Sequence, residues 1–112
     1  MTYYFKTIKY SQPIGIKKIS NNIPIKFKLY QNYPNPFNPN SIIKFSLPKK
    51  SFVQLIVYDL LGKVKEVMVN KELQSGEYEV NFNGINYSSG IYFYQLTADD
   101  MIIDTKKLVI IK

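Results

Sequence analysis

The sequence predicts an all-β domain built as an antiparallel sandwich. Its apolar residues make up 46% of the chain and are dominated by isoleucine, valine, tyrosine and phenylalanine. Side chains of these types suit the pleated, half-buried surface of a sheet, whereas a helical domain is rich in alanine, leucine and glutamate. Short apolar runs also return at intervals of about ten residues, which is typical of the strands of a sandwich.

The predicted strands are separated by segments rich in Pro, Gly, Asn, Asp and Ser, which favour turns. Seven short strands in two packed sheets are typical of an immunoglobulin-like domain. In chain order the predicted strands are Phe27–Gln31, Ser41–Leu47, Phe52–Asp59, Val64–Asn70, Glu77–Asn83, Ile91–Ala98 and Ile102–Ile111.

Alternation within the strands predicts which side chains form the core, because successive residues of a strand point to opposite faces of the sheet. The clearest case is Glu77–Asn83, where polar and apolar side chains alternate throughout. The last strand is ambiguous: it is apolar at each position from Leu108 to Ile111, so it is either buried on both faces or keeps one apolar face exposed. The side chains predicted to lie between the sheets are Ile43, Phe45, Leu47, Val53, Leu55, Val57, Tyr78, Val80, Phe82, Tyr92, Tyr94 and Leu96.

Composition divides the chain into two parts. Residues 1–28 hold a short strand-like stretch, Thr2–Tyr10, and then a segment without a sustained period, which we interpret as a linker. Residues 29–112 form the predicted globular domain. No apolar run approaches the roughly 20 residues that span a bilayer, so we expect no membrane insertion.

The net charge of +7 comes from fifteen basic residues, all of them lysine. They are scattered, with no run longer than two, and we interpret them as a solvated basic surface. A nucleic-acid patch is the less favoured alternative, since such a surface is expected to use arginine for bidentate contacts. We therefore expect no nucleic-acid partner.

The residue types needed for common catalytic sites are missing. Histidine and cysteine do not occur, which excludes a Ser-His-Asp triad, a cysteine nucleophile and the usual zinc site. We expect no enzyme activity, no catalytic residue, no cofactor and no metal. Asp99–Asp100 is interpreted as a hairpin turn, where Asp bonds its own backbone, with a weak calcium site as the alternative.

One segment, Tyr33–Pro39, contains three prolines within six residues. Each proline fixes its own φ and pushes the preceding residue towards extended geometry, so the loop is expected to be stiff and ordered, with Phe37 packed on the sandwich. A rigid connection is one interpretation and a preformed recognition surface is the other. Tyr30, Tyr33 and Phe37 lie outside the clear alternation and are the best candidates for exposed contacts.

Four segments of the chain carry a resemblance to a known family. They are LYQNYPNPFNPNSIIKFSLP, VYDLLGKVKEVMVNKELQSGEYEVNFNG, SSGIYFYQL and the terminal TKKLVIIK. In order and spacing they resemble the type A C-terminal sorting domain of type IX secretion cargo, found in Bacteroidetes and related phyla. The resemblance covers Leu29–Lys112.

The resemblance implies a β-sandwich carried at the end of large secreted proteins. It implies two partners, the outer-membrane type IX machinery, which reads the domain, and a cell-surface sortase, which removes it. The cargo is then secreted or held at the cell surface after passage through the periplasm. Because Met1–Tyr10 lacks the apolar core of a signal peptide, we expect this chain to be the tail of a longer protein whose cargo domain is missing. We also expect the domain to be a monomer.

Carried over by position, the resemblance also implies which residues serve sorting or recognition. They are Pro34, Asn35, Pro36, Phe37, Pro39, Gly90, Tyr92, Lys107, Leu108, Val109 and Lys112. Two other functions stay open: an immunoglobulin-like accessory module that binds glycan or protein at the cell surface through its exposed aromatics, and a structural spacer like the flagellar hook-capping modules.

Overall fold

A computed structural model describes residues 16–20, 22–36 and 39–112. These residues form eight strands and no helix, so none of the described segments is a helix able to cross a membrane. The strands are β1 (Ile16–Ser20), β2 (Lys28–Leu29), β3 (Asn40–Leu47), β4 (Ser51–Asp59), β5 (Val64–Leu73), β6 (Gly76–Asn83), β7 (Gly90–Ala98) and β8 (Met101–Ile110).

The strands form two four-stranded antiparallel sheets, in the orders β1-β6-β3-β2 and β5-β4-β7-β8. The two sheets pack face to face around one core, which confirms the predicted all-β sandwich. β8 lies at one edge of its sheet and is next to β2 of the other sheet, so these two strands line the same side of the sandwich.

The strand beyond the seven that we predicted is β1, which lies in the segment interpreted as a linker. It pairs with β6, placing Ile16 opposite Val80 and Lys17 opposite Glu79. β1 has too few apolar residues to show a period, and pairing with β6 is what defines it as a strand. The stretch Thr2–Tyr10 lies outside the described residues, and the division of the chain at residues 28 and 29 stays a prediction.

Gly76 allows β1 to approach the start of β6. A Cβ atom at this position would lie 2.6 Å from Cε of Lys18 and 3.1 Å from the carbonyl oxygen of Ser20. The residue also has a φ of 146°, which side chains rarely tolerate. The flexible end of Lys18 can move aside, so glycine is favoured here mainly by the backbone conformation and by the nearby carbonyl of Ser20.

The predicted core is confirmed at every position. Each of the twelve side chains named from the alternation is buried, with Tyr92 the most exposed of them at 8%. The ambiguity of the last strand is also resolved, because Leu108 and Ile110 are buried while Val109 is half-buried and Ile111 is half exposed. Additional core side chains come from Leu29, Val69, Leu73 and Ala98.

The interpretation of Asp99–Asp100 as a hairpin turn is confirmed. Both residues have positive φ, 50° and 68°, as a two-residue type I′ turn requires. The amide of Asp99 donates to the carbonyl of Phe52, and its Oδ1 accepts from the amide of Phe52, both at 2.9 Å. The carboxylate of Asp99 thus bonds the backbone of β4, not its own backbone as the sequence had suggested, and attaches the turn between β7 and β8 to the start of β4.

Leu55 lies at the centre of the core and is fully buried. Leu55→Ala is expected to lower the free energy of unfolding by about 2–4 kcal/mol, because it removes buried methyl groups and leaves a cavity, and Val80→Ala somewhat less. Denaturant unfolding measures the change. Lys44→Ala, at an exposed position of β3, is the control and is expected to change stability by no more than about 0.5 kcal/mol. Equal effects of Leu55→Ala and Lys44→Ala would contradict the assigned core.

Candidate recognition surface

Three loops and the end of the chain meet at one end of the sandwich, which we call the apical end. It is formed by the described residues of the loop after Tyr33 (Pro34–Pro36 and Pro39), the turn between β4 and β5, the loop between β6 and β7, and Ile111–Lys112. The registers bring them together: Asn40 lies opposite Asn83, and Gly90 lies opposite Ile110. All four segments of the resemblance therefore contribute to one surface.

A buried polar network fixes the start of the loop after Tyr33. Asn32 and Ser41 are 2% and 1% exposed. Nδ2 of Asn32 donates to Oγ of Ser41 at 2.8 Å and to the carbonyl of Pro34 at 3.1 Å. The hydroxyl of Ser41 donates to the same carbonyl at 2.9 Å. Two donors thus hold the backbone of Pro34 in place, at the start of the proline-rich segment.

Tyr94 connects this network to the centre of the other sheet. Its ring is fully buried, while its hydroxyl accepts from the amide of Asn32 at 2.7 Å and donates to the carbonyl of Tyr30 at 2.8 Å. Burial, reinforced by the negative charge of Asp104, raises the pKa of Tyr94 well above its ordinary value. A tyrosine hydroxyl is protonated at physiological pH even without this shift, so it donates to Tyr30 while it accepts from Asn32.

Two side-chain amides join this part of the chain to the last strand. Oδ1 of Asn35 accepts from the amide of Val109 at 3.0 Å, across 74 positions of sequence. Nε2 of Gln31 donates to the carbonyl of Lys107 at 2.7 Å, across 76 positions. The start of the proline-rich loop is therefore joined to β8, although the two were predicted as separate recognition elements.

The loop between β6 and β7 holds the end of the chain. The amide of Lys112 donates to Oγ of Ser89 at 3.0 Å, and its ammonium group donates to the carbonyl of Ile85. The hydroxyl of Tyr92 donates to the carbonyl of Ser88 at 2.8 Å. These contacts place Lys112 beside residues predicted only as a turn.

Tyr87 links that same loop to β5. Its hydroxyl donates to Oε1 of Glu66 at 2.7 Å. Its ring makes edge-to-face contacts with Phe82 and Tyr92, with centroids 5.1 and 5.2 Å apart. Burial and the adjacent Glu66 carboxylate together raise the pKa of Tyr87. The aromatic contacts and the hydrogen bond fix one side of the apical end.

The turn between β4 and β5 presents two leucines to solvent. Oδ1 of Asp59 accepts from the amides of Leu61 and Lys63, both at 2.9 Å. Gly62 takes a φ of 86°, which glycine adopts without steric cost. Leu60 and Leu61 are 63% and 93% exposed on this rigid turn. Exposed apolar side chains on a fixed turn suit a contact surface.

The structure separates the predicted sorting residues by exposure. The buried pair, Tyr92 and Leu108, contributes to the core and offers no surface to a receptor. Phe37 lies outside the described residues, so the expectation that it packs on the sandwich is untested. Pro39 and Val109 are half-buried. The exposed members are Pro34, Asn35, Pro36, Gly90, Lys107 and Lys112. Their individual roles in sorting stay predictions.

Of the aromatic residues predicted to be exposed, Tyr33 is 81% exposed, whereas Tyr30 is half-buried with the ammonium of Lys28 4.5 Å from its ring centre.

The sequence analysis did not identify Asn32, Ser41 and Gln31 as residues of this surface. One signal was present: a buried tyrosine needs a hydrogen-bond partner for its hydroxyl, and Tyr94 was already assigned to the core.

The described residues thus form a β-sandwich with a fixed apical surface and no grouping of three or more acidic side chains able to hold a metal ion. A sequence profile of the family described as secretion system C-terminal sorting domain matches residues 31–112. The chain belongs to this family, the C-terminal sorting domains of type IX secretion. Comparisons with curated proteins and with solved structures gave no match.

Proposed function

We propose that this domain is a non-catalytic signal that directs an attached protein through the type IX outer-membrane translocon to the cell surface or the medium. The observation that carries the proposal is the family match over residues 31–112, whose segments converge on the apical end. A receptor can recognise a folded signal only if its surface has one shape. The buried Asn32 network and the contacts of Lys112 supply that fixed shape.

The same proposal assigns partners and a route. The attached protein crosses the periplasm before it meets the outer-membrane machinery, and a cell-surface sortase then separates it from the domain. Exposed members of the apical end, among them Pro36, Gly90 and Lys112, are the residues we assign to contact with the machinery. The domain acts in this role as a monomer, since each attached protein needs one signal.

A second function, binding of a glycan or protein at the cell surface, is favoured by one observation. Tyr33 is 81% exposed and borders a shallow cleft of about 570 Å³ on the outer face of the β1-β6-β3-β2 sheet. Ile42 supplies an apolar floor, and Lys17 and Glu79 supply charges. An aromatic side chain beside polar groups is a common arrangement in ligand sites. This function gains support only if sorting fails in the experiment below.

Fusing the whole 112-residue chain to the C-terminus of a periplasmic reporter is expected to move the reporter to the cell surface or medium of a host with type IX secretion. Fractionation of cells and medium measures the distribution. The reporter without the domain, and the fusion in an isogenic host without the translocon, are the controls. A fusion that stays in the periplasm although its domain is folded would overturn the proposal, and a glycan-binding screen would then test the second function.

A further inference from the structure

Two backbone groups on the outer edge of β8 are hydrogen-bonded to side chains instead of to a neighbouring strand. Among the described strands, β8 pairs only with β7, so its other edge faces away from the sheet. In an antiparallel edge strand, the main-chain groups of alternate residues point outward. The carbonyl of Lys107 and the amide of Val109 are two such groups, and both are hydrogen-bonded to side chains rather than to a strand.

These side chains supply amide groups, which are chemically equivalent to peptide groups. Gln31 donates an N–H to the carbonyl of Lys107 at 2.7 Å, and Asn35 offers a carbonyl oxygen to the amide of Val109 at 3.0 Å. Together they reproduce one donor and one acceptor of a neighbouring strand. Gln31, Asn35 and Lys107 are all exposed, so an approaching polypeptide can reach and replace both side chains. Nε2 of Gln31 also donates to Oδ1 of Asn32 at 2.6 Å, and its second N–H leaves this bond available when the bond to Lys107 is replaced.

The first half of β8 is protected against strand pairing in a different way. Asp104 and Lys106 lie opposite the buried residues Leu96 and Tyr94, and cross-strand partners share a face. These two charges therefore point to the inner side of the edge, where they form an ion pair at 3.4 Å. The β7–β8 register also shifts after Leu96. Inward charges and bulges both prevent edge-to-edge pairing, which leaves Lys107–Ile110 as the segment able to pair.

We infer that the outer edge of β8 from Lys107 to Ile110 is a strand-addition site for an extended segment of the secretion machinery, held closed in the free domain by Gln31 and Asn35. This inference rests on the proposed sorting function and names the surface that it uses. In strand addition, main-chain hydrogen bonds supply affinity and flanking side chains supply specificity. Closure by two exposed amides keeps the edge from pairing with other proteins before it meets its receptor.

Val109→Pro tests the site at the backbone. Proline removes the N–H that a partner strand needs and is tolerated on an edge strand when that N–H faces away from the sheet. Val109→Thr keeps the N–H and a β-branched side chain, and is the matched control. The purified chain is sedimented with outer-membrane vesicles from a type IX host and from an isogenic strain without the translocon. We expect translocon-dependent binding by the wild type and Val109→Thr, and binding weaker by about tenfold or more for Val109→Pro.

Removal of the two side chains that cover the edge is an independent test of their covering role. The double variant Gln31→Ala, Asn35→Ala removes both covering amides, and we expect it to bind the same vesicles about three- to tenfold more tightly, because a larger fraction of the domain is competent to pair. Circular dichroism and thermal unfolding verify the fold of every variant. If Val109→Pro fails to fold, this double variant decides the question.

The outcomes separate the inference from the proposed function. Translocon-dependent binding by the wild type, with Val109→Pro equal to Val109→Thr, would overturn the strand-addition site and leave the sorting function intact. Unchanged or weaker binding by the folded double variant would also overturn the site. Absence of translocon-dependent binding by the wild-type chain would overturn both.

Discussion

Removal of Lys106–Lys112 is expected to abolish export of a reporter fused to this domain. The truncation takes away Leu108 and Ile110, both buried in the core, and each contributes about 1.5–3 kcal/mol through burial. It also removes the partners of Asn35 and Gln31 on the last strand. Since a domain of this size is stable by only about 5–15 kcal/mol, both the fold and the apical surface are affected.

The same export assay distinguishes loss of fold from loss of a contact. Removing only Ile111–Lys112 leaves β8 complete and costs the contacts of Lys112 with the loop between β6 and β7. We expect this shorter truncation to fold and to lower export partially. Lys107→Ala is expected to have a smaller effect, because its exposed side chain contributes little to stability.

Limited proteolysis of each purified domain is the folding control for these variants. A Lys106–Lys112 truncation that resists proteolysis and still exports its reporter at the intact level would contradict the role assigned to the last strand. Export lost equally in Lys107→Ala would show instead that this one side chain carries the signal.

The core was predictable from sequence because it depends on a local pattern. In β6 the alternation of Tyr78, Val80 and Phe82 with polar residues identifies the inner face directly, since the side-chain period of a strand is two. The turn at Asp99–Asp100 was predictable for a similar reason, because few residue types accept positive φ. Local patterns of this kind determine most of the sandwich.

The joining of the apical segments was not predictable, because it depends on contacts between distant parts of the chain. Asn35 meets Val109 only after two sheets have packed and brought β2 beside β8. Asn32 is a polar residue in a stretch without alternation. The residues next to it in sequence do not indicate that its amide donates to the hydroxyl of Tyr94. β1 was missed for the same reason, since only its pairing with β6 makes it a strand.

These contacts explain how a small folded domain can act as a signal. The family profile matches residues 31–112 as one range. Within this range the fold joins distant parts of the chain into one surface through hydrogen bonds at Pro34, Val109 and Lys112. A partly unfolded chain cannot present all of them together. Recognition of this surface would therefore also report that the domain is folded.

Asn32→Asp is expected to be the most destabilising single substitution near the apical end. The two side chains have nearly the same size, but the substitution replaces the donor Nδ2 by a carboxylate oxygen at a residue that is 2% exposed. That oxygen would face the carbonyl of Pro34, itself an acceptor. Nε2 of Gln31 still donates to Oδ1 of residue 32 at 2.6 Å, but a buried carboxylate that faces another acceptor is expected to cost about 3–5 kcal/mol, measurable by denaturant unfolding at pH 7.

The cost of Asn32→Asp is also expected to depend on pH. Burial raises the pKa of the introduced carboxyl above its value of about 4 in the unfolded chain. Below that value the group is protonated in both states, and the charge costs nothing. As the pH rises from about 4 to the folded-state pKa, the unfolded chain loses its proton first, so the penalty grows, and above the folded-state pKa it stays constant.

Asn32→Ala separates the lost hydrogen bonds from the charge. It removes the bonds to Ser41, Pro34 and Gln31 without adding a charge, and we expect a cost of about 1–3 kcal/mol that does not vary between pH 4 and pH 7. Equal costs for the two variants at pH 7, or a difference between them that is the same at both pH values, would show that Asn32 is hydrated rather than enclosed. In that case the backbone of Pro34 would lack the buried anchor on which the fixed shape of the apical end depends.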